Sequence, residues 1–214
     1  MLKINIGCGD IRPDNWVNTD KSFKIVISEL KGIRYLFPSS KKSNATYLNI
    51  GKKWKFDSGS VDILYASHVF EHLDKVDRAH FIAEASRVVK PGGILRIVVP
   101  DLYTLCRQYV DGYETGNKDA ANRLLYWMNM HKDNLHGREL PLYKKLYNFV
   151  QNYPKQHQIM LDKHTLAEYL NPTLWTDLEF TEYAKSVHMQ DAISEVEFDA
   201  QYTDSIYLEA IRGQ

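Results

Sequence analysis

Ile4-Asn5-Ile6-Gly7-Cys8-Gly9-Asp10 decides how the rest of the chain is read. The apolar run from Leu2 to Ile6 predicts a strand, and the glycines directly after it predict a tight bend. Glycine at such a bend lets the backbone turn with positive φ and come close to a ligand. In an open parallel sheet, ligands sit outside the carboxyl ends of strands, where the strand order switches. The bend is therefore a candidate binding loop; a tight strand-to-helix turn with no ligand is the plainer alternative. A dinucleotide fingerprint needs a further glycine at position 12, and this chain has Arg12 there, which weakens a pyrophosphate reading.

Working outward, short apolar runs alternate with helix-like stretches. Val17 to Thr19 predicts a second strand, ending at Asp20, and Thr46 to Ile50 a third. The turn signal Asp57-Ser58-Gly59-Ser60 sets off a fourth strand, Val61 to Ala66. Gly93 to Val99 is the fifth and the most apolar, as a central parallel strand should be. Between the last two, Val76, Ala79, Ile82, Ala83 and Val89 recur near a 3.6-residue period and predict a helix. Asp74 or Asp77 is placed to cap its start, and Lys90-Pro91-Gly92-Gly93 to end it. Strand–helix–strand alternation implies parallel strands with crossover helices, an α/β doubly wound sheet.

Beyond Pro100 the texture changes. Residues 101–160 are rich in Tyr, His, Asn and Lys, with Tyr103, Tyr109, Tyr113, Tyr126, Trp127, Tyr143, Tyr147 and Tyr153 among them. This stretch reads as a helical cap inserted in a single domain spanning 1–214; equally, its aromatics are the core of a helical subdomain. Lys163 to Leu170 predicts a helix, Phe180 to Val187 a strand, and Ser205 to Ile211 a last strand.

Composition narrows the function classes. The chain has 214 residues, 44% hydrophobic and 25% charged, which argues against disorder. Lys and Arg number 27 against 27 Asp and Glu, so no basic excess suggests a nucleic-acid partner. No apolar run nears the roughly 20 residues that span a bilayer. The chain enters its first strand at once, leaving no expected signal peptide. Cys8 and Cys106 make no disulfide framework, and a reducing, cytoplasmic setting is expected. Lys52-Lys53-Trp54-Lys55 reads as a solvated basic face.

Asp20, at the end of the second strand, is placed to accept hydrogen bonds from both hydroxyls of a ribose, with a solvated turn aspartate as the alternative.

Four segments together resemble the class I S-adenosylmethionine-dependent methyltransferases, above all the small bacterial and viral type associated with polysaccharide biosynthesis. They are Asn5 to Gly9 with Trp16 to Asp20; Asp57 to Leu73, including Ser67-His68-Val69-Phe70-Glu71-His72; Glu84 to Gly93; and Val99-Pro100-Asp101-Leu102. A weaker similarity continues at His157 to Asp162 and Tyr207 to Arg212. The resemblance implies a Rossmann-like, seven-stranded sheet binding S-adenosyl-L-methionine. Gly7, Cys8 and Gly9 would line the methionyl part and Asp20 would hold the ribose. Asn49 stands where the family often has an acidic residue reading adenine, and its carbonyl oxygen still accepts a hydrogen bond; Ile50 lies beside it. Ser67 and His68 would flank the transferable methyl.

Within that frame the expected reaction is O-methylation of a hydroxyl on a sugar or glycan. His68 is the first candidate for general base, His157 the second, with Asp101 assisting or capping the next helix. His131 and His136 are rivals. His68-x-x-Glu71-His72 also fits the H-x-x-E-H zinc protease pattern, which requires a helix presenting both histidines. It is similar, too, to the E-x-x-E-H positions that bind a divalent cation in ubiquinone-pathway and small-RNA 2′-O-methyltransferases, with His68 replacing the first Glu; otherwise Glu71 and His72 order the next helix. Other classes stay open: a non-catalytic methyltransferase-like binding protein, a nucleotide-sugar or dinucleotide enzyme, or a methyltransferase for another small molecule.

Overall fold

The computed structural model describes residues 1–21, 25, 44–128, 157–197 and 204–214. The strands are β1 (Lys3–Ile6), β2 (Val17–Asp20), β3 (Thr46–Tyr47), β4 (Val61–Ser67), β5 (Val89–Pro100), β6 (Trp175–Thr181) and β7 (Ser205–Arg212). They form one seven-stranded sheet in the order β3-β2-β1-β4-β5-β7-β6. β1 to β5 pair in parallel, and β7 runs antiparallel to both β5 and β6. The expected Rossmann-like doubly wound sheet is what the chain forms. Its order reverses between β1 and β4, and the crevice at that switch opens beyond Ile6 and Ser67.

β4 shows why the sheet is buried on both sides. Its side chains alternate between faces. Leu64 and Ala66 pack with Ile4, Ile6, Leu95 and Phe81 on one face. Ile63 and Tyr65 pack with Trp16, Val98, Ile193 and Tyr207 on the other.

The helices are α1 (Lys75–Val88), α2 (Leu102–Glu114), α3 (Ala120–Trp127), α4 (Lys163–Ala167) and α5 (Ile193–Val196) among the described residues. Asp74 caps α1, its side chain accepting from the backbone N–H groups of Val76 and Asp77. The face that α1 buries differs from the expected one. Val76 is 76% exposed, whereas Arg78, Phe81, Glu84, Ala85 and Val88 are buried. Two charged residues on the inner face hide the true stripe from an apolar count. Arg78 donates to the Leu73 carbonyl and the Tyr169 hydroxyl. Glu84 accepts from Trp54 N at 2.7 Å and pairs with Arg87.

α1 stops at Val88, and β5 begins at Val89, before Lys90-Pro91-Gly92-Gly93 rather than after it. A Cβ at Gly93 would lie 2.9 Å from the Lys90 carbonyl and 3.0 Å from that of Val61, so only glycine fits where β5 passes β4. The third strand is shorter than expected, Thr46–Tyr47 against Thr46 to Ile50. Leu48 N then bonds the Asp20 carbonyl and the chain leaves the sheet edge. β6 lies earlier than the expected Phe180 to Val187. After Thr181 the backbone N–H groups of Ala184, Val187 and His188 turn to buried carboxylates of Glu197 and Glu209 instead of a neighbouring strand. Of the expected cap at 101–160, α2 and α3 are helical; Tyr143, Tyr147, Tyr153, His131 and His136 lie outside the described residues. Among the described residues, no helix is long and apolar enough to cross a membrane.

Candidate active site

The loop after β1 is built by close approach. Gly7 has φ +66°, and a Cβ there would sit 2.2 Å from Val69 Cγ2. Only glycine lets the β1 loop pack against the segment after β4. Cys8 N donates to the Thr19 carbonyl at 3.0 Å, and Gly9 N donates to Asp20 Oδ2 at 3.0 Å. The loop is thus stapled to the end of β2, which fixes where the Asp20 carboxylate stands. Burial, aided by the Asp20 charge, raises the Cys8 thiol to about 11, so it stays protonated, although Arg12 works against the rise.

A cavity of about 500 Å³ opens at the carboxyl ends of β1, β2 and β4. Gly7, Asp20, Ile50 and His68 line it, as do His72, read from the sequence only as a metal or helix-ordering candidate, and Lys21, which the sequence reading did not single out. Lys21 directly follows Asp20, and that adjacency was the available signal. Burial lowers the Lys21 ammonium from its ordinary value, opposed by Asp77.

His68 is held in an uncommon backbone state, φ +53°, with its N–H donating to the Val98 carbonyl at 2.9 Å. Such a conformation costs about 1–3 kcal/mol and persists where surrounding structure imposes it. It aims the imidazole between two groups. His68 Nδ1 lies 3.2 Å from Glu71 Oε1, and Nε2 lies 3.3 Å from Ser205 Oγ. Ser205 was not among the expected residues; it begins β7, whose antiparallel pairing with the end of β5 brings it here.

Phe70–His72 forms a short 3-10 turn. His68 precedes it, so no helix presents both histidines as the protease pattern requires. Glu71 is 1% exposed, and neither of its side-chain oxygens has a hydrogen-bond partner. His72 Nε2 stands 3.9 Å from Glu71 Oε1. His157 joins from far along the chain because Gln158 N and Ile159 N both bond the Glu71 carbonyl. Its ring packs edge-on to His72 at 4.8 Å. Burial holds His157 below the usual imidazole range; Glu71 opposes this, and His72 and His68 add to it.

The remaining expected residues have other surroundings. Asp101 caps α2, accepting from Tyr103 N at 3.0 Å and Thr104 Oγ1 at 2.6 Å. Asn49 Oδ1 accepts from Gly51 N at 3.2 Å, and the residue lines a neighbouring hollow of about 440 Å³ with Lys52, Lys53 and Trp54. Ser67 ends β4, directly before His68. None of Cys8, Gly9, Asn49, Ser67, Asp101 and His157 lines the cavity itself.

Residues 5–97 match the family model of the methyltransferase domain. The matched stretch covers the end of β1, β2 to β4, α1 and most of β5, and it contains every residue that lines the cavity. The match supports a methyltransferase domain over this stretch. No curated protein matches the chain. Among solved structures, the CurJ carbon methyltransferase is 13% identical with a TM-score of 0.48, covering 100% of this chain and 49% of its own. The chain thus spans about half the length of that protein. A SAM-dependent methyltransferase from Archaeoglobus fulgidus is 12% identical with a TM-score of 0.49, covering 98% of this chain and 86% of its own. Phosphoethanolamine N-methyltransferase 2 from Haemonchus contortus is 13% identical with a TM-score of 0.46, covering 100% and 50%. Likenesses this remote say nothing about the acceptor.

Proposed function

We propose that the chain transfers the methyl group of S-adenosyl-L-methionine to a hydroxyl of a sugar or glycan, with His68 as general base. The observation that carries this reading is the cavity at the sheet switch, lined by Gly7, Asp20 and His68 together. The methionyl part would pass along Gly7 to Gly9, Asp20 would take the ribose, and Ile50 with Leu48 would pack on the adenine. Nε2 faces the Ser205 hydroxyl and is the nitrogen that would take the proton. The Ser205 hydroxyl at Nε2 stands in for the acceptor hydroxyl.

In the transfer, the acceptor oxygen attacks the methyl carbon and its proton passes to His68 Nε2. The carbon–sulfur bond breaks, and the sulfur keeps the electron pair as the thioether of S-adenosylhomocysteine. The sulfonium is already electrophilic, so the chain's task is alignment at about 3–3.5 Å and removal of a proton. A hydroxyl, unlike a neutral amine, needs that base. Exposed Tyr103 and Tyr113 on α2 and Tyr126 on α3 offer ring faces of the kind that pack on sugars.

Calorimetry with S-adenosylhomocysteine, then labelled-methyl transfer onto a panel of mono- and oligosaccharides, tests the reading. His68→Ala should lower turnover by about 100-fold or more while the cofactor still binds. Unchanged turnover removes His68 from the role. Label appearing only on amine or carbon acceptors removes the hydroxyl assignment, and cofactor binding with no transfer to any acceptor points to a binding protein.

A further inference from the structure

We infer that Glu71, His72 and His157 form a binding site for one divalent transition-metal ion of the Zn²⁺ or Co²⁺ type, at the wall of the cavity that His72 lines. The donor atoms of the three side chains all lie within 4.8 Å of one another. Donors on a four-coordinate Zn²⁺, at about 2.0–2.2 Å from the metal, stand roughly 3.3–3.6 Å apart. Closing the remaining gap of ~1 Å takes side-chain rotation, not movement of the fold.

Two further observations point to an ion. Glu71 is 1% exposed, yet both its carboxylate oxygens lack hydrogen-bond partners. His157 Nδ1 is likewise buried without one. A buried carboxylate in this state is costly, and a cation is the partner that offsets it. The polar groups packed around it are imidazoles: His68 at 3.2 Å, His72 at 3.9 Å and, beyond His72, His157. The chain also invests backbone in the arrangement, since Gln158 N and Ile159 N anchor His157 to the carbonyl of Glu71 itself.

The donor chemistry selects the ion. Two imidazoles and one carboxylate suit Zn²⁺, Co²⁺ or Fe²⁺ better than Mg²⁺ or Ca²⁺, which prefer oxygen sets. Three protein ligands leave at least one position open, as in catalytic and not structural sites. If the methyl-transfer reading holds, that open position is where an acceptor hydroxyl would be polarised, with its proton still leaving to His68. The ion site itself does not depend on that reading.

The test uses full-length protein stripped with a chelator, then titrated with Zn²⁺ by calorimetry and with Co²⁺ by visible absorption. The expected result is one ion per chain and a Co²⁺ spectrum showing nitrogen ligation. Glu71→Gln and His157→Asn should each weaken Zn²⁺ binding by more than the roughly 10–100-fold that losing an outer partner of a ligand costs. No binding of either ion by the unaltered chain, or affinity unchanged in both variants, overturns the site. Should a variant fail to fold, carbethoxylation of the unaltered chain decides the matter. Zn²⁺ should protect His72 and His157 from modification, and equal labelling with and without the ion overturns the proposal. Parallel titration with S-adenosylhomocysteine separates the two readings, because loss of cofactor binding leaves the ion result standing.

Discussion

Two regions of this molecule bury charge, and they treat it in opposite ways. Where β5, β6 and β7 meet, Arg96 is 0% exposed and its donors are all used. It bonds Glu197 through Nε at 2.7 Å and Nη2 at 2.8 Å, Glu209 through Nη1 at 2.7 Å, Thr181 Oγ1 at 2.8 Å and the Glu182 carbonyl at 3.4 Å. Glu197 Oε2 also accepts from Ala184 N, and Glu209 Oε2, which Arg96 leaves spare, accepts from Val187 N and His188 N. At the ends of β1 and β4 the account is left open. Four buried side-chain atoms among the described residues lack a hydrogen-bond partner, and three of them belong to Glu71 and His157; the fourth is His80 Nε2. A closed polar network fixes a structure, whereas an open one beside a cavity leaves polar groups without a protein partner.

The largest effect expected from breaking this contrast is at Arg96. Arg96→Met keeps much of the volume but strands two buried carboxylates. The loss should be about 3–5 kcal/mol, a large part of the 5–15 kcal/mol typical of a domain. Thermal unfolding checks it, with a midpoint lower by on the order of 10 °C. A drop no larger than that of a surface substitution would mean that the network does not hold the β5–β7–β6 half together.

At Gly7 the expected loss is smaller and more local. An added Cβ meets Val69 Cγ2 at 2.2 Å in a backbone with φ +66°. Gly7→Ala should cost about 1–3 kcal/mol and displace the loop that staples Asp20. Calorimetry with S-adenosylhomocysteine should then show affinity falling by more than stability alone explains. Equal affinity in Gly7→Ala and the unaltered chain would separate the loop from the cofactor.

How much of this was legible in the sequence depends on the reach of the interaction. The glycine bend after β1, Asp20 at the end of β2 and the Asp74 cap are set by neighbours a few residues away, and a local pattern reports them. The inner face of α1 was misread because Arg78 and Glu84 are buried by specific hydrogen bonds, which no hydrophobic count registers. β6 was placed late because its end is set by carboxylates from distant segments. The Glu71–His72–His157 cluster was half visible. Its first two members sit side by side in sequence, but His157 enters through backbone bonds to Glu71 from a separate segment, and nothing in either segment announces that pairing.

The smallest expected effect is also the most discriminating, since it makes one chemical change in both regions. Glu197→Gln removes a charge from a satisfied pair and leaves Arg96 short of a bidentate partner, so a loss of about 3 kcal/mol is expected. Glu71→Gln removes a charge that has no hydrogen-bond partner to lose. In metal-stripped protein its stability should stay within about 1 kcal/mol of the unaltered chain, or rise, because neutralising an unsatisfied buried carboxylate relieves its desolvation. Denaturant unfolding of both variants in chelator compares them directly. Equal losses at the two positions would show that the carboxylate of Glu71 is as much a structural group as that of Glu197, and the division between a closed and an open region would fail at its clearest point.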